Sequence, residues 1–185
     1  KYLEDNQDLV NLGLLLLFKT CLRIGELTSL NKEDIQDGMI HVSKTETIYR
    51  GKDGKTHYDV KNFPKTEAGI RHVIVPDNCK WILNRIRRLC PFGQYVFMKD
   101  NERIRSYVFR TRLYSNCKKL DIVVKSPHKV RKTYGSKLYD SGEIPESFML
   151  EQMGHTDISC LQKHYYYNRM NDEEKREMLN QVNAL

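Results

Sequence analysis

Residues that could act on a phosphodiester lie close together in the last third of the chain. They fall in three short segments: His128-Lys129-Val130-Arg131, Met153-Gly154-His155 and His164-Tyr165-Tyr166-Tyr167. Arginine binds phosphate oxygens with paired N–H groups, imidazole transfers protons near neutral pH, and a tyrosine hydroxyl can serve as a covalent nucleophile. These residue types are suited to phosphodiester chemistry that uses no metal.

The elements that would position these residues are predicted to form one mainly α-helical domain with a small antiparallel β-sheet, an α+β fold. Apolar spacing and helix-start and helix-stop residues predict helices over 8–20, 25–30, 76–89, 103–120, 127–140, 145–152, 159–168 and 172–182. Short β-prone runs at 40–42, 58–60 and 73–75 predict a single sheet with two hairpin turns. The helix over 103–120 is predicted to be strongly basic.

The composition predicts a folded basic protein. The 185 residues are 39% hydrophobic and 30% charged, which favours one folded domain over a disordered chain. The net charge of +7 favours a polyanionic partner. Five scattered cysteines, with no Cys-x-x-Cys pair or zinc-ligand spacing, indicate free thiols in a reducing cytoplasm and no structural metal. The longest apolar run, residues 12–18, is too short to span a membrane and predicts a buried helix.

Two candidate residues near the N-terminus also have ordinary structural explanations. Arg23, in a Leu-Arg-Ile-Gly-Glu-Leu segment, could emerge from a nearly buried backbone toward a ligand, or it could pair with Glu26 at the surface. Lys65, next to the predicted hairpin tip that leads into the third strand, could contact a phosphate or simply be solvated. Taken alone, each of these short segments favours the structural explanation, because short motifs often match by chance.

The candidates in the last third have similar alternatives. His128 and Arg131 are three residues apart and share a helix face, so they could bind one phosphate at a helix N-terminus. In the alternative, Arg131 lies on the solvent side of an ordinary amphipathic helix. His155 could be a capping residue between two helices, and Tyr165 falls at core spacing in its predicted helix.

The order and spacing of these residues resemble the catalytic domain of the tyrosine recombinases, the phage and transposon integrase family. The resemblance extends over nearly the whole chain and rests on Leu-Arg-Ile-Gly-Glu-Leu, Lys-Thr-x-x-Gly-x-Arg, His-x-x-Arg and Met-Gly-His-Thr-Asp segments. In that family the tyrosine follows the Gly-His histidine by nine or ten residues, which selects Tyr165, with Tyr166 as the alternative. The implied catalytic residues are Arg23, Lys65, His128, Arg131, His155 and Tyr165.

The resemblance implies a role for each of these residues. Tyr165 would attack a DNA phosphodiester to form a 3′-phosphotyrosine link and release a 5′-hydroxyl. Because a phenol of pKa about 10 is protonated at neutral pH, it needs a base, for which His128 is the candidate. Lys65 would protonate the leaving 5′-oxygen.

The remaining three residues would bind the phosphate. Arg23 and Arg131 would hold its non-bridging oxygens and stabilise the charge of the transition state, and His155 would donate a hydrogen bond to it. The phosphotyrosine link conserves the energy of the broken bond, so the resemblance implies rejoining without ATP, metal or any other cofactor.

The resemblance also implies partners and a larger protein. Residues 1–185 would be a catalytic domain whose N-terminal DNA-binding domains lie outside this sequence, and 171–185 would be a C-terminal exchange helix. The expected partner is double-stranded DNA, with self-association into a synaptic tetramer and no membrane contact. A bacterial, cytoplasmic, nucleoid-associated protein of a mobile genetic element is expected.

Two other functions remain open from the sequence. A type IB topoisomerase-like enzyme would relax DNA with a similar set of residues. A DNA-binding module could keep the same fold and perform no chemistry. The competent residue types at all six positions favour a catalytic protein over the second alternative.

Overall fold

The structure is a computed structural model that describes residues 1–62, 69–155, 173 and 176. Its helices are α1 (Tyr2–Asp5), α2 (Leu9–Thr20), α3 (Ile24–Ser29), α4 (Lys80–Leu89), α5 (Ser106–Lys119), α6 (Pro127–Asp140) and α7 (Glu146–Met153). Its strands are β1 (Ile35–Gln36), β2 (Met39–Val42), β3 (Thr45–Arg50), β4 (Thr56–Lys61), β5 (Arg71–Ile74), β6 (Met98–Lys99) and β7 (Glu102–Arg103). The mainly α fold with small antiparallel sheets is therefore confirmed.

Several sequence predictions fall outside the described residues. Lys65, Tyr165 and Tyr166 are among them, as is the helix predicted over 159–168. Of the helix predicted over 172–182, only Glu173 and Arg176 are described, and both are helical. Within residues 1–62 and 69–155, no helix combines the length and apolar character that crossing a membrane requires.

Helix α2 lies at the centre of the hydrophobic core, as its run of leucines predicts. It contacts α4, α5 and α6, so leucines on several of its faces are buried together, and its amphipathic character is weak. The Asp8 side chain begins the helix by accepting a hydrogen bond from the backbone N–H of Asn11 at 2.8 Å. The helix ends at Cys21, where the chain turns toward α3.

The strands form separate sheets, so the prediction of a single sheet was wrong. In the largest sheet the order is β1-β2-β5, and Ile40 on β2 faces Val73 on β5. The predicted run at 58–60 belongs to β4, which pairs instead with β3 in an independent hairpin. Strand β3 escaped prediction because half of its residues are exposed and it carries no clear alternation of apolar and polar positions.

The basic helix begins three residues later than predicted, because Arg103 belongs to β7 and is nearly buried. Arg103 donates hydrogen bonds to the Glu46 carboxylate and, at 3.0 Å, to the carbonyl oxygen of Tyr58. Glu46 also accepts a hydrogen bond from the backbone N–H of Ser106 at 3.1 Å. This carboxylate thus caps the N-terminus of α5, where a negative charge is favourable, and ties the β3–β4 hairpin to the helical core.

A glycine in the middle of α2 permits close packing against two aromatic rings of the core. Phe97 and Phe109 meet edge to face beside it, with ring centroids 5.3 Å apart. A Cβ atom at Gly13 would approach Cε1 of Phe97 to 2.9 Å and Cε1 of Phe109 more closely still. Both rings are almost completely buried and cannot move aside without disturbing their neighbours.

We predict that Gly13→Ala destabilises the protein, although alanine is the better helix former. Overpacking against the two rings should cost about 1–3 kcal/mol, which outweighs the roughly 1 kcal/mol that alanine contributes in a helix interior. Urea unfolding measures the difference. Ser115→Ala, at an exposed position of α5, is the control and should leave stability unchanged or slightly higher. A Gly13→Ala variant as stable as wild type would contradict the packing argument.

Candidate active site

Arg23 lies between α2 and α3, with its backbone held and its side chain partly open to solvent. Its backbone N–H donates to Oε2 of Glu26 at 2.8 Å, and its Nη1 donates to Oε1 of the same carboxylate at 2.7 Å. Its Nη2 donates to the carbonyl oxygen of Gly154 at 3.3 Å. The predicted pairing with Glu26 therefore exists, and the Arg23 side chain, which is 43% exposed, still leaves one side available to a ligand.

Glu26 is the buried centre of the ion pairs around Arg23. Arg71, on β5, donates from Nη1 to Oε1 at 3.0 Å and from Nη2 to Oε2 at 2.9 Å, a bidentate arrangement. Both side chains are 3% exposed. Glu26 therefore accepts hydrogen bonds from two arginines, one of them buried and one of them half exposed.

The charge of Glu26 is set by competition between burial and these cations. Burial alone would raise the pKa of the carboxyl group, but the hydrogen bonds and charge of Arg71, with the charges of Arg23 and Arg131, lower that pKa to about 2. Glu26 is therefore ionised at neutral pH.

Arg131 is buried in the first half of α6, so the alternative that placed it on the solvent side of that helix was wrong. Its guanidinium donates to the carbonyl oxygens of Cys21 and Met153. Its Nη2 lies 3.1 Å from Nε2 of His155. Because a guanidinium has donors and no acceptor, Nε2 of His155 accepts this bond in the neutral imidazole.

The end of α7 directs His155 toward Arg131. Gly154 adopts the left-handed conformation, with φ of 60°, and its N–H bonds to the carbonyl oxygen of Glu151 at 3.1 Å. The N–H of His155 bonds to the carbonyl oxygen of Leu150 at 3.0 Å. This glycine-based helix ending reverses the chain immediately before the histidine.

Helix α7 is fastened to the edge of the sheet by Gln152. Its side-chain amide accepts from the N–H of Ile74 at 3.0 Å and donates to the carbonyl oxygen of Ile74 at 2.9 Å. The backbone carbonyl oxygen of Gln152 accepts from Nε of Arg71 at 3.1 Å. Strand β5 has no strand partner on this side among the described residues, so the glutamine satisfies backbone groups that the sheet leaves open.

Three consecutive carbonyl oxygens at the C-terminus of α7 each bind one arginine. Gln152 accepts from Arg71, Met153 from Arg131, and Gly154 from Arg23. A helix C-terminus carries partial negative charge, so it is a favourable place for cations. Arg23 and Arg131, far apart in the sequence, are thus brought to adjacent residues.

His128 lies at the exposed start of α6, three residues before the buried Arg131. The helix begins as predicted, with Pro127 in its first turn and the Ser126 hydroxyl accepting from the N–H of Lys129 at 3.3 Å. The structure therefore gathers Arg23, Arg131 and His155 and places His128 on the helix that carries Arg131.

Sequence reasoning missed Arg71 and Gln152, and it named Glu26 only as a surface partner of Arg23, although all three hold this arrangement together. Glu26 and Arg71 occur inside segments that the sequence analysis singled out, three and six residues after Arg23 and Lys65, respectively. Their presence there was the signal that could have identified them. Nothing in the sequence marks Gln152, because its partners are backbone groups of a strand 78 residues away.

Comparison with known proteins identifies the family. Residues 5–172 match the phage integrase family. The chain belongs to this family. No curated protein sequence matches it.

Solved structures of tyrosine recombinases share the fold. The Tn1549 transposon integrase in complex with transposon right end DNA is 19% identical, with a TM-score of 0.71, and 93% of this chain aligns with 58% of that one. The XerA recombinase is 20% identical, with a TM-score of 0.71, covering 98% of this chain and 59% of that one. A lambda integrase dimer bound to a COC′ core site is 18% identical, with a TM-score of 0.59, covering 89% of this chain and 54% of that one. The integrase-family chain thus spans less than two thirds of the length of each of these relatives.

We predict that Glu26→Gln destabilises the protein by about 3 kcal/mol at pH 7, because Arg71 would remain buried without a counter-charge. The folded pKa of Glu26 is about 2, below its ordinary value of 4.5. Its contribution to stability is therefore complete above pH 4.5 and is lost as the pH falls toward 2.

Urea unfolding of both proteins at several pH values measures this effect. The difference in unfolding free energy between wild type and Glu26→Gln should shrink as the pH falls from 4.5 toward 2. Glu151→Gln, at an exposed position of α7, is the control and should show almost no difference. A Glu26→Gln difference that stays constant over this range would contradict the assigned ion pair.

Proposed function

We propose that this chain is the catalytic domain of a site-specific DNA recombinase that cleaves and rejoins strands through a 3′-phosphotyrosine intermediate. The observation that carries the proposal is the attachment of Arg23 and Arg131 to adjacent carbonyls of α7, with His155 beside Arg131. Family membership supports the reaction class. The three side chains proposed to bind phosphate thereby come together from three separate parts of the chain.

The electrostatics of this cluster suit a phosphate in the transition state. The proposed transition state adds negative charge to the non-bridging oxygens, and fixed donors stabilise such charge without reorganising. Arg131 is fixed by carbonyl oxygens and buried, whereas the half-exposed Arg23 keeps a surface open to the DNA. Because Nε2 of His155 accepts from Arg131, His155 would donate to the phosphate from its other nitrogen.

The proposed chemistry rests on the resemblance to the tyrosine recombinases and on family membership. Tyr165 would attack the phosphorus atom and lose its proton to His128, while Lys65 would protonate the leaving 5′-oxygen. The attack forms a tyrosine–phosphorus bond and breaks the bond between phosphorus and the 5′-oxygen. Attack by a 5′-hydroxyl on the phosphotyrosine reverses both changes and rejoins the DNA. The proposed reaction therefore consumes no ATP and uses no metal.

The proposed partners are double-stranded DNA and further copies of the protein. The net charge of +7 is favourable for binding DNA. The Tn1549 and lambda integrases were solved on DNA, and the lambda protein as a dimer. We include in the proposal a synaptic tetramer of the full-length protein, with 171–185 as the segment exchanged between protomers.

We predict that Tyr165→Phe abolishes covalent capture of DNA. Nicked duplexes with a randomised segment around the nick serve as suicide substrates, because a short strand diffuses away after cleavage and prevents rejoining. Covalent adducts recovered under denaturing conditions identify the cleaved sequence. Wild type should form an adduct, and Tyr165→Phe should reduce it by at least about 100-fold because the nucleophilic oxygen is missing.

Tyr166→Phe is the matched control and should retain the adduct. An adduct that survives Tyr165→Phe and disappears in Tyr166→Phe would identify Tyr166 as the nucleophile. If no tyrosine substitution changes the adduct, the proposed phosphotyrosine mechanism fails. If wild type forms no adduct while still binding the duplex, the chain is a DNA-binding module and the catalytic proposal fails.

The adduct does not separate a recombinase from a type IB topoisomerase-like enzyme, so a second assay is needed. Supercoiled plasmids that carry two copies of the recovered sequence should yield recombinant products with a recombinase. Relaxation of the plasmid without any recombinant product would favour the topoisomerase-like alternative.

A further inference from the structure

Cys21, between α2 and α3, has a backbone conformation that is unusual for a residue with a side chain. Its φ is 60° and its ψ is 17°, in the left-handed region that favours glycine. The residue is completely buried and packs with Met149 and Met153 of α7. A left-handed cysteine inside a close-packed core is held there by its surroundings.

Cys21 contacts Arg131 in two ways, once through its backbone and once through its side chain. Its carbonyl oxygen accepts a hydrogen bond from Nη1 of Arg131, and its thiol lies 3.6 Å from the carbonyl oxygen of Arg131, which it faces as a donor. Burial raises the pKa of this thiol to about 11 against the lowering effect of Arg131, so the sulfur keeps its proton. A thiol is a weak donor, so the carbonyl oxygen is the stronger of the two contacts.

The left-handed turn is what makes the carbonyl available to Arg131. In a continuing helix, a carbonyl oxygen points along the axis toward an N–H four residues later. The left-handed residue ends α2 instead, and its carbonyl oxygen is satisfied by the guanidinium of a residue 110 positions away. The second acceptor of that guanidinium is Met153, so two fixed carbonyl oxygens determine where its N–H groups point.

We infer that Cys21 is a positioning residue for Arg131, acting through its left-handed peptide and not through its thiol. This inference rests on the proposed phosphodiester chemistry, in which Arg131 binds a non-bridging oxygen. A guanidinium displaced by a fraction of an ångström would lose part of its stabilisation of the transition state while DNA affinity changed little.

Three substitutions separate the backbone from the side chain. Cys21→Gly and Cys21→Ala remove the thiol but tolerate the left-handed conformation, glycine most easily. Cys21→Val keeps a small apolar side chain, but its branched Cβ makes the left-handed conformation strongly unfavourable. We expect single-turnover cleavage by the Gly and Ala variants within about 3-fold of wild type, and a loss of about 10- to 100-fold for the Val variant.

A neutral substrate distinguishes misplacement of Arg131 from general damage to the fold. Replacing one non-bridging oxygen of the cleaved phosphate by methyl removes the charge that Arg131 would stabilise. On this methylphosphonate DNA, Cys21→Val should cleave within about 3-fold of wild type, as should the benchmark variant Arg131→Ala. The phosphate substrate is the sequence recovered by covalent capture, and thermal unfolding confirms that each variant is folded at the assay temperature.

Each outcome decides the inference. It is overturned if Cys21→Val cleaves phosphate DNA like wild type, if it loses activity equally on both substrates, or if Cys21→Gly and Cys21→Ala lose as much as Cys21→Val. If neither Cys21→Val nor the equally branched Cys21→Thr folds, the position is structural and the inference also fails. A wild-type protein that forms no adduct at all would instead refute the proposed function.

Discussion

Three guanidinium groups gather around one carboxylate, and the rest of the site depends on how their repulsion is balanced. Glu26 stays ionised in the interior because Arg71 binds it through both oxygens. The carbonyl oxygens at the end of α7, which have no partner within the helix, supply the remaining negative potential. A buried ion pair of this kind contributes little net stability compared with apolar packing, but loss of one partner is severe. The pair therefore specifies geometry more than it stabilises the fold.

Positioning in this site is performed mainly by backbone atoms. Carbonyl oxygens of α7 and of Cys21 bind the arginines. At the edge of β5, the backbone N–H and C=O of Ile74 bind the side chain of Gln152. Main-chain groups have fewer degrees of freedom than side chains, so they orient a guanidinium more firmly than a flexible carboxylate would.

Much of the fold could be predicted because its signals are local. The leucine run of α2 and the Ser126-Pro127 start of α6 require no knowledge of distant contacts. Strand β3 and the burial of Arg103 and Arg131 could not be predicted this way. An arginine is ordinarily exposed, and whether it is buried depends on acceptors contributed by other parts of the chain. Residue types and spacing selected candidate residues, but could not show which of them lie inside.

The contacts that assemble the arginine cluster join parts of the chain that are far apart in sequence. Arg23 meets a residue 131 positions away, and the carbonyl of Cys21 meets one 110 positions away. Contacts with such large sequence separation close late in folding, because the entropy of long loops must be overcome first. A partly folded chain therefore has helices and hairpins but no organised cluster of positive charge. The domain acquires that cluster only when almost all of it has folded, so a half-formed cluster does not precede the folded core.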